Sequence, residues 1–247
     1  MAVLVFFAGL VIGALLNIVI IRLPREKRLI GWPRCTRSGE SLALWQLLPL
    51  AGWLLQRGRA HNGKPIHWIY PLVELLTAVA LTLFYQSYGF SVLFFYLSFV
   101  SIVLIITGAI DWTHRYIYTF VILGAALLTL LIHAIGIVPE MNLLNAAVGM
   151  LISGIFFTML FILAKFLFPA RSVPFGLGDV FLSLFIGAAF GLTRLVSTLT
   201  YGVFMAGAVA VLIVSAKHLL HRRVPEYMSY GSYLCLGAIV YLLVQGW

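Results

Sequence analysis

Residues 3–21 read VLVFFAGLVIGALLNIVII, nineteen positions without a charge. As a helix this run spans about 28 Å, close to the ~30 Å hydrocarbon thickness of a bilayer. It is longer than the apolar stretch of a signal peptide, has no basic flank before it, and is followed by no small-residue cleavage site. We read it as a retained first transmembrane helix. Working outward from it, apolar runs recur at 70–87, 91–110, 118–137, 143–168, 180–192, 195–216 and 231–247, the sixth being short. Only 9% of the 247 residues are charged and 63% are hydrophobic, a balance that excludes an ordinary soluble domain. The expected fold is all-α: a polytopic membrane protein of about eight transmembrane helices.

The basic residues orient these spans. Nine of the sixteen lie in one segment: Arg22, Arg25, Lys27, Arg28, Arg34, Arg37, Arg57, Arg59 and Lys64. The positive-inside rule makes that segment cytoplasmic and both termini external. Residues 1–247 are therefore read as a single membrane domain, with 22–69 as a basic cytoplasmic loop insert. The net charge of +9 is mostly this topology signal. The loops suit anionic lipid, and nucleic acid is not an expected partner because no basic and aromatic surface exists outside them. The two cysteines, Cys35 in the loop and Cys235 in the last span, form no disulfide framework.

Seven acidic residues remain to be placed. Glu26, Glu40, Glu140 and Glu226 fall in loops and turns. Glu74, Asp111 and Asp179 fall within or at the ends of apolar spans, where a charge costs about 2.5–3.5 kcal/mol even on insertion scales. Asp111 follows the third run in GAIDWTHRYIY, and Asp179 opens the sixth in FGLGDVFL. The topology drawn from the basic residues puts both at the cytoplasmic membrane face. Two carboxylates meeting in a partly dry cleft tend to share a proton, so that one activates water while the other donates to the substrate carbonyl. Bland readings exist for each: Asp179 as a first-turn acid complementing a helix dipole, Asp111 as an interfacial acid beside His114 or Arg115. Gly176 and Gly178 precede Asp179 and leave room for a peptide backbone, and Pro174 keeps their approach non-helical. In the first helix Gly9, Gly13 and Asn17 recur every fourth residue on one face, a packing stripe in which Asn17 hydrogen-bonds within the bundle or meets substrate. Glu74 pairs with a basic peptide or with a loop arginine.

Three stretches resemble the type IV prepilin peptidases, which are GxGD intramembrane aspartyl proteases: GLVIGALLNIVIIRLP (9–24), IYPLVELLTA (69–78) and FGLGDVFLSLFIGAAFG (175–191). The resemblance implies that Asp111 and Asp179 are the catalytic pair, with Gly176, Gly178, Glu74 and Asn17 serving the substrate. It implies removal of a basic leader from prepilin or pseudopilin precursors at the cytoplasmic face of a bacterial inner membrane. It also implies N-methylation of the new terminus with S-adenosylmethionine where that second activity is retained; proteolysis itself needs no cofactor.

The sequence departs from the family pattern in the loop. WPRC keeps Cys35, but RGRAHNGK has Ala60 and no cysteine. One thiolate makes no tetrahedral zinc site, so zinc is not expected, and His61 and His67 read as loop histidines. RYIYTF follows Asp111 in place of the usual proline and acid, and Phe181 replaces the usual lysine. These departures leave the aspartates intact and weigh against methyl transfer. Two other readings stay open: a small transporter relaying ions through Asp111, Asp179 and Glu74, and a non-catalytic pilus or secretion assembly factor. Oligomeric state leaves no sequence signal.

Overall fold

The computed structural model describes residues 1–26, 28, 31, 44–59, 63, 65–167, 176–220 and 229–247. Cys35, His61, Pro174, Phe175 and much of the basic loop lie outside them. The long elements are α1 (Ala2–Arg22), a short α2 (Ala51–Leu55), α3 (Ile69–Tyr88), α4 (Val92–His114), α5 (Thr119–Ala134), α6 (Leu143–Leu167), α7 (Leu177–Leu220) and α8 (Tyr230–Val244). No strand appears among the described residues.

Five helical stretches are long and apolar enough to cross a membrane: Ala2–Arg25, Ile69–Tyr88, Val92–His114, Leu143–Leu167 and Leu177–Leu212. Thr119–Ala134 and Tyr230–Val244 are shorter apolar helices. The count of eight spans read from the sequence is thus not reproduced as eight separate elements. The runs at 180–192 and 195–216 belong to one 44-residue element broken at Gly191, whose φ of 64° and ψ of 172° are not helical. Asn145 of α6 binds just beyond the break: its Oδ1 accepts from the Thr193 backbone N–H at 3.4 Å, and its Nδ2 donates to Thr193 Oγ1 at 3.2 Å. A side chain at residue 191 would be strained by its φ and would collide with Met141 and Asn145.

The chain divides into two compact units, Met1–Ile110 and Asp111–Trp247. In the first, α1 packs on α3 through its stripe of small residues. A Cβ added at Gly9 would lie 2.6 Å from Ala78 Cα, and one at Gly13 would lie 2.5 Å from Glu74 Cα. Hydrocarbon outside the helices offers apolar side chains no disadvantage, so close packing and interhelical hydrogen bonds hold such a pair. One turn further, Asn17 Nδ2 donates to the Tyr70 carbonyl at 3.0 Å and to Glu74 Oε1 at 3.1 Å. Gly13→Val should cost about 1–3 kcal/mol through overpacking. A lowered unfolding temperature in detergent reads this out, and an unchanged one would show that α1 and α3 do not meet there.

In the second unit α7 packs on α6, α8 and α5. Gly149 and Gly187 bring α6 and α7 backbone to backbone, since a Cβ on Gly149 would sit 2.6 Å from the Gly187 carbonyl oxygen. Ser153 Oγ donates across the same seam to the Ser183 carbonyl at 2.8 Å. Gly237 of α8 rests on the Gly202 backbone of α7. These contacts hold α6 and α8 against α7.

Candidate active site

Asp111 sits in the last turn of α4 and Asp179 in the first turn of α7. Both are buried, at 6% and 7% exposure, although each is a carboxylate. Burial of an acid is tolerated only where its oxygens find donors. Both find them at the amino end of α8. Ser232 donates its backbone N–H to Asp111 Oδ2 at 2.7 Å and its hydroxyl to the same oxygen at 2.9 Å. The N–H of the preceding residue, Gly231, donates to Asp179.

The first amides of a helix have no partner within the helix and carry partial positive charge. Here two successive amides of α8 take one carboxylate each. Gly231 lies between the acids: a Cβ built there would be 2.9 Å from Asp179 Oδ1, 3.0 Å from Asp111 Oδ2 and 2.8 Å from Ile117 Cδ1. The arrangement brings the two acids to one place with backbone on one side of them.

The local chain of Asp179 closes on itself. The Gly176 N–H donates to Asp179 Oδ2 at 2.9 Å, while the Asp179 N–H donates to the Gly176 carbonyl at 3.1 Å. This reciprocal turn starts α7 and holds the carboxylate by the side chain as well as by the backbone. The two glycines differ in what they do. Gly176 has room, its nearest neighbour to an added Cβ being Asp179 Oδ2 at 3.7 Å. Gly178 is inside the first helical turn and packed, with Ile117 Cβ at 2.9 Å from an added Cβ. Its lack of a side chain therefore admits Ile117, the residue six beyond Asp111.

Asn17 and Glu74 sit in the first unit and bond to each other. Glu74 Oε2 also accepts from the Leu50 N–H at 2.7 Å, so both carboxylate oxygens are engaged, one by α1 and one by the chain entering α2. Among the described residues no group of three His, Cys, Asp or Glu is placed to hold a metal ion.

The sequence reading did not single out Gly231 and Ser232. The signal available was a small polar step, SYGSY at 229–233, opening the last apolar run. Such a step marks a helix start, but nothing local tells what the start will cap, because Ser232 meets a residue 121 positions earlier.

Comparison with known proteins gives two family matches that succeed each other along the chain. Residues 7–88 match the Bacterial Peptidase A24 N-terminal domain, and residues 98–212 match the Type IV leader peptidase family. Among individual relatives, a prepilin leader peptidase/N-methyltransferase of Xanthomonas campestris is 32% identical over 57% of this chain and 58% of its own. One of the same name from Myxococcus xanthus is 39% identical over 36% of this chain and 28% of its own. A type 4 prepilin-like proteins leader peptide-processing enzyme of Escherichia coli is 28% identical over 99% of this chain and 94% of its own. The aligned part of this chain thus spans less than two thirds of the Myxococcus and Xanthomonas relatives. No solved structure matches. With consecutive matches to both parts of the family and an end-to-end match to a leader peptide-processing enzyme, the chain belongs to the type IV prepilin peptidase family.

Proposed function

We propose that the protein is an intramembrane aspartyl endopeptidase that removes the basic leader from type IV prepilin or pseudopilin precursors. The observation that carries this is the pairing of Asp111 and Asp179 on consecutive amides of α8. One carboxylate takes a proton from water as the hydroxyl adds to the scissile carbonyl carbon. The other, protonated at that moment, donates to the carbonyl oxygen; the proton gained by the first is then passed to the leaving amine as the C–N bond breaks, and a hydroxyl of the intermediate returns its proton to the second carboxylate as the C=O bond re-forms. The enzyme works in a bacterial inner membrane as one domain of eight crossings. Its termini are external and its pair faces the cytoplasm, where the 22–69 loop and the basic leader meet. The precursor's own apolar helix lies beside the enzyme in the bilayer, and Gly176 leaves space for the extended segment at the cleavage site.

Purified protein in detergent, incubated with a precursor carrying a basic leader, should release the leader in a single cut that intact-mass analysis locates. Folded protein that cuts none of a panel of such precursors would overturn the proposal.

Glu74 and Asn17 supply a negative charge and its support for the leader. Glu74→Gln keeps the size of the side chain and one of its two acceptors and removes the charge, so KM for a basic leader should rise about three- to tenfold with kcat little changed, the signature of lost uniform binding. If KM stays at the parent value, Glu74 serves only to tie α1 and the start of α2 to α3.

N-methylation appears in the names of the relatives. Binding of S-adenosylmethionine needs polar groups for an adenosine and a sulfonium. A cavity of about 530 Å³ between α6 and α7, lined by Leu151, Ile155, Met159 and Leu184 with one hydroxyl from Thr158, does not fit that requirement. The product's mass in the presence of S-adenosylmethionine, parent or one methyl heavier, decides whether this chain has that activity.

A further inference from the structure

We propose that Ser232 is a positioning residue for peptide hydrolysis, holding Asp111 through the side-chain hydroxyl as well as the backbone. This rests on the aspartyl peptidase reading above. Ser232 is buried, and both of its donors converge on one atom, Asp111 Oδ2, at 2.7 and 2.9 Å.

A carboxylate at the end of a helix turns about its χ2 angle with little resistance. One hydrogen bond fixes the place of one oxygen; two from different directions, an amide and a hydroxyl, fix the plane of the group. With Oδ2 taken, Oδ1 is the oxygen left for the water. Asp179 reaches the same rigidity in another way, through the Gly176 amide on one side and the Gly231 amide on the other. Its two holds are both backbone. Asp111 lies at the carboxyl end of α4, where free amides are absent, and it gains its second hold from a side chain. The Ser232 hydroxyl is therefore the removable part of the clamp.

Ring contacts beside the clamp restrict it further. Trp112, next to Asp111, packs edge-on against Tyr233, next to Ser232, with centroids 5.9 Å apart. The ends of α4 and α8 are thus joined at two adjacent residues of each helix, and Ser232 provides the polar member of that joint. Misplacing a catalytic group by about an ångström costs on the order of a hundredfold in rate, and losing one of two holds should cost less.

The test uses the full chain with Ser232→Ala, Ser232→Thr and Ser232→Val, assayed for cleavage of a basic-leader precursor beside Asp111→Asn. Ser232→Ala should lower kcat about tenfold with KM unchanged. Thr and Val have the same shape and differ by the hydroxyl, so Thr should restore turnover to within about threefold of the parent while Val stays low. A merely structural serine would give equal Thr and Val variants, and that result overturns the proposal even if the alanine variant folds poorly. A rise in KM at constant kcat overturns it too. Should Asp111→Asn be inactive while Ser232→Ala turns over like the parent, the positioning role falls and the peptidase reading stands. Cleavage retained in Asp111→Asn removes both.

Discussion

Asp111→Asn and Asp179→Asn each reduce precursor cleavage to background, a fall of roughly 10³-fold or more, since general acid and base work contributes about 10²–10⁴ and here the two acids share it. Asparagine keeps the size of the side chain and an oxygen able to accept from the α8 amides, so the contacts at Gly231 and Ser232 are retained in outline. What it loses is the capacity to take or give a proton. Groups that act as a unit are strongly non-additive, so the double variant should be no slower than either single one. Protein yield and unfolding temperature should match the parent, separating lost chemistry from lost fold. The measurement is the rate of leader release, read by intact mass. Cleavage surviving in either single variant would mean that the pair does not do the chemistry, and the alternatives of an ion-relaying or binding-only protein would return.

The helices were legible in the sequence because bilayer-length apolar runs leave little choice: backbone groups in hydrocarbon must bond within their own segment. The stripe Gly9, Gly13, Asn17 was legible for the same reason, helical periodicity on a face that meets another helix, and the structure puts Ala78, Glu74 and Tyr70 opposite it. The joining of the sixth and seventh runs was not. Both sides of Gly191 look helical, and the side chain that bonds the chain just past the break, Asn145, is 48 residues from its partner Thr193.

The two aspartates stood out because an acid at the end of an apolar span is costly, and the arginines and lysines elsewhere led to the expectation that both lie at one membrane face. How they are held did not follow. The cost of burying an acid announces that donors exist somewhere without naming them, and apart from the Ser232 hydroxyl the donors are backbone amides, at Gly176, Gly231 and Ser232, which carry no signature in the sequence. Glu74 shows the same limit. Its place in an apolar span marked it as a costly charge, but the partners it has among the described residues, Asn17 and the Leu50 amide, are not ones that charge alone would choose.

Gly231→Ala should reduce cleavage on the order of 10²-fold while lowering the stability of the folded protein far less. The added methyl enters the space between the acids, 2.9 Å from Asp179 Oδ1 and 3.0 Å from Asp111 Oδ2. Ile117, whose Cδ1 is 2.8 Å away, can yield by changing rotamer. The carboxylates yield only by leaving the amides that hold them, which separates each from its position beside the other. On stability two effects oppose each other. Within the first turn of a helix, alanine in place of glycine reduces the conformational entropy lost on folding, a gain of up to about 1 kcal/mol where the backbone is compatible, and Gly231 is not among the positive-φ glycines; weakening the bonds to the buried acids costs about 1–3 kcal/mol. A slow enzyme that stays folded, with an unfolding temperature near the parent's or modestly below it, is therefore the signature of crowding at the pair. Gly207→Ala provides the control, because among the described residues no heavy atom lies within 4 Å of a Cβ there, and its cleavage rate should equal the parent's. Parent-like turnover in Gly231→Ala would mean that the acids do not work where α8 holds them, and that another arrangement of α4, α7 and α8 carries the reaction.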